Sequence, residues 1–93
     1  MLNLTATDSK IFTASGSVYF VTIKADGTGF ATVSGGDSID GFRFARLTLD
    51  FIGGELRASF HGECAMDRNP SEFDGIGGRV RMTSQVVDIV PMG

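Results

Sequence analysis

The stretch "RLTLDFIGGELRASF", residues 46–60, constrains this chain more than any other. On both sides of Gly53-Gly54, apolar and polar residues alternate with a period of two, the spacing of a strand with one buried face. A two-residue turn at the glycines pairs Phe51 with Leu56, Leu49 with Ala58 and Leu47 with Phe60 on one face. The same register pairs Asp50 with Arg57 and Thr48 with Ser59 on the other. One register yields both an apolar ladder and an opposite-charge pair, and a slip of one residue would scramble both. This segment is a β-hairpin.

A second hairpin is written into "SVYFVTIKADGTGFATVSGG", residues 17–36. Asp26-Gly27 is the dipeptide favoured by a two-residue type I′ turn. With that pair at the tip, Ile23 stands opposite Phe30, Val21 opposite Thr32, and Lys24 faces Gly29. The glycines serve the turn and not a phosphate. A dinucleotide loop needs G-x-G-x-x-G opening a helix, and position 32 is Thr in a strand-like run. The Gly-Lys-Ser/Thr of a Walker loop is absent from the chain.

Parity changes between Phe42, Phe44 and the later set Leu47, Leu49, Phe51. A strand keeps both sets on one face only if a residue is inserted. The sequence therefore predicts a β-bulge near Ala45-Arg46, or a strand that passes from one sheet to another. Farther on, Asn69 suits an N-cap, Pro70 the first helical position and Glu72 a capping box. One helical turn is expected near residues 70–74, ended by Gly75. "GRVRMTSQVVDIVP" reads as one long final strand, kinked near Ser84-Gln85 and closed by Pro91. At the front, Leu2, Leu4 and Ala6 alternate, and "KIFTA" is a further short strand. The expected fold is a single all-β domain over residues 1–93. It is a small antiparallel barrel or compact β-sandwich of six to seven strands with one short helical turn.

Composition permits a core, since 42% of residues are apolar and eight are Phe. Eight Lys and Arg against eleven Asp and Glu leave a net charge of −3, which weighs against a surface built to track phosphates. The lone Cys64 excludes an internal disulfide and fits a buried thiol in a reducing compartment. "MLNLTATDSK" lacks the basic flank and apolar run of a signal peptide, and no stretch approaches the ~18 apolar residues of a membrane helix. A complete cytoplasmic protein without membrane contact is expected.

Reactive constellations are thin. His61 and Cys64 form the only pair of soft metal ligands, too few for a zinc site, and their spacing at a strand end does not make a nucleophile and base. Asp67, Asn69 and Ser71 match the start of a calcium loop, but Glu72 stands where Gly is required and Gly78 where a bidentate Glu is required. An irregular site from Glu63, Asp67, Glu72 or Asp74 is the residual form of that idea. Asp37 and Asp40, among glycines in "SGGDSIDG", read as turn formers rather than an acid–base pair. No catalytic residue, metal or cofactor is expected, and the chain is not read as an enzyme.

What remains is binding. Arg43 between Phe42 and Phe44, Arg46, the row Arg79 and Arg81, and Tyr19 are the candidate interaction residues. The leading expectation is a non-enzymatic accessory or inhibitor-type module that acts through a protein surface. It is expected to form a homo-oligomer, with the apolar "VVDIV" pairing between chains if it lies at a sheet edge. One alternative is a barrel that binds single-stranded nucleic acid through Arg43, Arg79, Arg81 and exposed aromatics, with Lys24 as a further cation. A second is a barrel that holds a small ligand among its Phe side chains.

Overall fold

A computed structural model describes residues 8–35, 38–73 and 78–92. The expected alternation at Leu2, Leu4 and Ala6 lies outside these residues, as do Asp37 and Asp74. The fold is all-β and antiparallel. Strands β1 (Asp8–Thr13), β2 (Val18–Ile23), β3 (Gly29–Gly35) and β4 (Ser38–Phe44) form a meander, and β8 (Val86–Pro91) joins it in the order β4-β3-β2-β1-β8. A second sheet has the order β5-β6-β7, from β5 (Arg46–Ile52), β6 (Glu55–His61) and β7 (Val80–Met82).

Two bends join the sheets. Ala45 separates β4 from β5, so a single run of chain leaves one sheet and enters the other. Ala45 N–H donates to the His61 carbonyl at 2.7 Å, while Arg46 is the register partner of His61. Two residues of one strand thus answer to one residue of its neighbour, which is the pairing of a β-bulge. This resolves the parity change between Phe44 and Leu47, and it is where the sequence places it. The expected single final strand is instead two, β7 and β8, in different sheets. Thr83 makes that break. Its N–H donates to the Ala58 carbonyl at 2.9 Å, and its Oγ1 accepts from Ala58 N–H at 3.1 Å. Counting each bent run once, the eight segments reduce to six long strands whose neighbours trace a closed ring.

The two hairpins differ in outcome. At Gly53-Gly54 both glycines take positive φ, 62° and 84°, as a type I′ turn requires. Every expected pair, from Leu47 with Phe60 to Phe51 with Leu56, is present. Arg57, however, forms its ion pair with Glu55 at 2.9 Å, on its own strand, rather than with Asp50 opposite.

The first hairpin is shifted by one residue from the expected register. Ile23 faces Gly29, Thr22 faces Phe30 and Val21 faces Ala31. The cause is the turn. Only Gly27 has positive φ, at 90°, and Asp26 does not, so a type I′ turn cannot form. Instead, Gly27 N–H closes on the Lys24 carbonyl and Lys24 N–H on the Thr28 carbonyl, which leaves a three-residue loop. Asp26 Oδ1 holds that loop by accepting from Thr28 N–H at 3.0 Å and Thr28 Oγ1 at 2.7 Å. The shift moves Phe30 out of the core and onto the solvent face.

The core fills the space between the sheets around Phe60. The Tyr19 ring stacks on it at 5.6 Å, the Phe42 ring meets it edge-on at 4.9 Å, and Phe44 lies at 5.1 Å. Leu49, Ile11 and Ala31 complete the packing. Midway along the connection from β6 to β7, a 3-10 turn, Pro70–Glu72, is capped by Asn69 Oδ1, which accepts from Ser71 N–H at 3.2 Å. No helix among the described residues is long and apolar enough to cross a membrane.

Candidate interaction surface

The outer face of the five-stranded sheet follows from the registers. Partners directly opposite share a face, so one row across the sheet reads Asp8, Thr22, Phe30, Arg43. The next row reads Val90, Lys10, Phe20, Thr32, Gly41, and a third reads Asp88, Phe12, Val18, Ser34. Phe30, Phe20 and Phe12 therefore descend one row per strand and form a diagonal aromatic stripe across β3, β2 and β1. Diagonal neighbours of this kind stand about 7–8 Å apart. Phe20 and Phe30 are 37% and 36% exposed, far above the core rings.

Charge is interleaved with the stripe. Lys10 Nζ stands 5.3 Å from the centre of the Phe20 ring, a cation–π contact. Arg43 is the register neighbour of Phe30, and its Nη1 donates to the Arg68 carbonyl at 2.9 Å. Asp8 and Asp88 lie at the ends of their rows on β1 and β8. Gly41 leaves a gap in the middle row, and Met66 lies over it, with Cγ 3.6 Å from the position of a Cβ. Half-exposed Met66 and exposed Val90 extend the apolar area to both sides of the sheet.

The expected interaction residues do not converge. Tyr19 is 7% exposed and packs on Phe60, so it belongs to the core because the odd positions of β2 face inward. Phe42 and Phe44, which flank Arg43 in sequence, are buried by the same alternation. Arg43 alone of the set lies on the outer face. Arg46 is exposed on β5 opposite His61, in the other sheet. Arg79 is exposed before β7, and its carbonyl accepts from Gly62 N–H at 2.8 Å. Arg81 turns inward, with its guanidinium 4.5 Å from the centre of the Phe42 ring, so Arg79 and Arg81 do not form an outward basic row. Sequence reasoning missed Phe20, Phe30 and Lys10. Both parities of "VYFV" are apolar, so only the hairpin register separates inward from outward.

The reactive candidates are accounted for by structure. His61 Nε2 lies 2.9 Å from Thr48 Oγ1, a cross-strand hydrogen bond. Cys64 N–H and carbonyl both bond to Arg43, each at 2.9 Å, which caps the free side of β4 at that residue. Burial pushes the Cys64 thiol above its usual pKa, the opposite of what a nucleophile needs. A cleft of about 220 Å³ beside it is lined by Cys64, Ala65, Arg68, Phe73 and Arg79. No group of three or more His, Cys, Asp and Glu placed to hold a metal occurs among the described residues. No family model, curated protein or solved structure matches this chain.

Proposed function

We propose that this protein is a non-enzymatic binding module that holds a protein partner against the outer face of its five-stranded sheet. The aromatic stripe Phe30, Phe20, Phe12 carries this reading. An apolar centre of Phe, Met66 and Val90, with Lys10 set among them and Arg43, Asp8 and Asp88 around, has the composition of a protein interface: aromatic and Met within, mixed charge at the rim. Large rings in such a centre are the residue type on which binding energy concentrates. Two carboxylates in the rim, and a net charge of −3, favour a protein over a polyanion. The single, buried thiol of Cys64 fits a cytoplasmic setting.

A second reading rests on the same stripe. Rings on successive strands with Arg43 and Lys10 beside them resemble a stacking platform for single-stranded nucleic acid. Capture from lysate with the intact protein and with F20S/F30S separates the two. A retained protein that survives nuclease and high salt, and is lost in the double variant, supports the leading reading. Retention abolished by nuclease and by salt, with direct binding of an oligothymidylate, transfers the site to nucleic acid. Equal capture by both forms places the function elsewhere on the molecule.

A further inference from the structure

We infer that β5 is a self-association edge: two copies pair β5 with β5 antiparallel, about a twofold axis through Thr48, into one continuous sheet. The inference is independent of the outer face. It comes from comparing the four strands that end the two sheets, because an unpaired edge invites strand addition and is normally blunted.

The other three edges are each blunted in whole or in part. At β4, the Arg43–Cys64 bridge occupies the outward backbone groups at Arg43. β7 is three residues long. At β8, Met92 N–H bonds to the Asp8 carbonyl, so Val90 and Asp88 also face β1 while Ile89 and Pro91 face outward. Pro91 has no N–H, and Ile89 N–H donates to Asp88 Oδ1 at 2.9 Å. The route expected from sequence, pairing through "VVDIV", thus finds a strand that does lie at an edge but has lost those outward donors.

Between its bulge at Ala45-Arg46 and its turn, β5 has no such device. Ile52 and Glu55 flank the two-residue turn and form a hydrogen-bonded pair, so Ile52, Asp50 and Thr48 face β6. Leu47, Leu49 and Phe51 therefore direct N–H and C=O away from it. No backbone group among the described residues bonds to that side.

The sequence of the strand is complementary to itself. With the axis at Thr48, Leu47 meets Leu49 of the second copy in hydrogen-bonded pairs. Arg46 then faces Asp50 of the second copy, twice by symmetry, in the closer non-hydrogen-bonded positions. An axis at Leu49 would also satisfy the backbone, but it sets Arg46 against Ile52 and Thr48 against Asp50. Charge selects the first register. The pairing also lays Phe51 of one copy beside Ala45 of the other, and Phe51 is the most exposed large apolar side chain described, at 74%.

The test is solution mass by light scattering across protein concentration, with charge reversals. The intact protein should rise from 9.9 kDa toward twice that mass as concentration increases. R46E and D50K should each weaken the dimer at least tenfold, and R46E/D50K should restore it, with circular dichroism showing the same fold in all. Amide exchange should show Leu47 and Leu49 protected at high concentration and exposed at low. A protein that stays monomeric to millimolar concentration overturns the inference. So does a dimer indifferent to both reversals, or one in which these amides exchange freely. If a reversal fails to fold, the concentration dependence of Leu47 and Leu49 amide exchange in the intact protein decides.

Discussion

The Phe44 ring closes over Gly29. A Cβ on that glycine would stand 2.9 Å from the ring's Cζ and would collide with the Thr22 carbonyl oxygen. Gly29 opens β3 where the first sheet turns toward the second, and its lack of a side chain lets Phe44 reach Phe60. Gly29→Ala should therefore destabilise the fold by about 3 kcal/mol, the upper range of an overpacked core. Gly27→Ala, with open space around its Cβ but φ at 90°, should cost only about 1 kcal/mol. Urea denaturation of the two variants checks the difference. Equal losses would mean that the turn, not the ring contact, sets the requirement.

Thr83 holds the second bend. It is 1% exposed, and its Oγ1 accepts from Ala58 N–H while donating to the Ser84 carbonyl at 2.7 Å. Thr83→Val keeps the shape and removes both bonds, which strands a buried N–H. A loss of about 1–3 kcal/mol is expected. Thr83→Ser, which retains the hydroxyl, should recover most of it.

Unblocking the protected edge should cause association of a different kind. Asp88→Ala frees the Ile89 N–H, and Pro91→Thr restores an outward donor. The double variant should form large, salt-insensitive aggregates during concentration, read by light scattering, while the intact protein stops at a discrete mass. Unchanged behaviour would show that β8 is shielded by something other than these two residues.

The buried Cys64 thiol sets a pH dependence. Its pKa is raised by burial, so in the folded protein it stays protonated where a free thiol ionises. Labelling by iodoacetamide should be slow at pH 8.5 and reach the rate of a free cysteine in urea. Below the ordinary thiol range this group leaves stability unchanged. As pH rises through that range the unfolded chain ionises first, so stability should decline. Cys64→Ser should flatten that decline.

Local chemistry settled some features and tertiary chemistry settled others. Gly53-Gly54 fixed its hairpin because both turn positions lacked a Cβ, and the register carried charge as well as apolarity. The change of parity at Ala45 was equally legible, since one strand cannot bury both Phe44 and Leu47 without an inserted residue. Asp26-Gly27 misled because Asp26 found a partner in Thr28 and kept a negative φ. That single turn decided whether Phe30 faced the core, and so decided the candidate site. Arg81 was unreadable for a different reason: its place over Phe42 depends on how two sheets meet, which no local pattern records.

The most direct measurement of the proposed function is photocrosslinking in the producing cell, with benzoylphenylalanine placed at Phe20 on the stripe or at Met82 on β7. Both side chains are exposed, and they lie in different sheets. A discrete, nuclease-resistant protein adduct is expected from the Phe20 position and none from Met82. Adducts from Met82 alone, or a Phe20 adduct that nuclease removes, would contradict the proposed function.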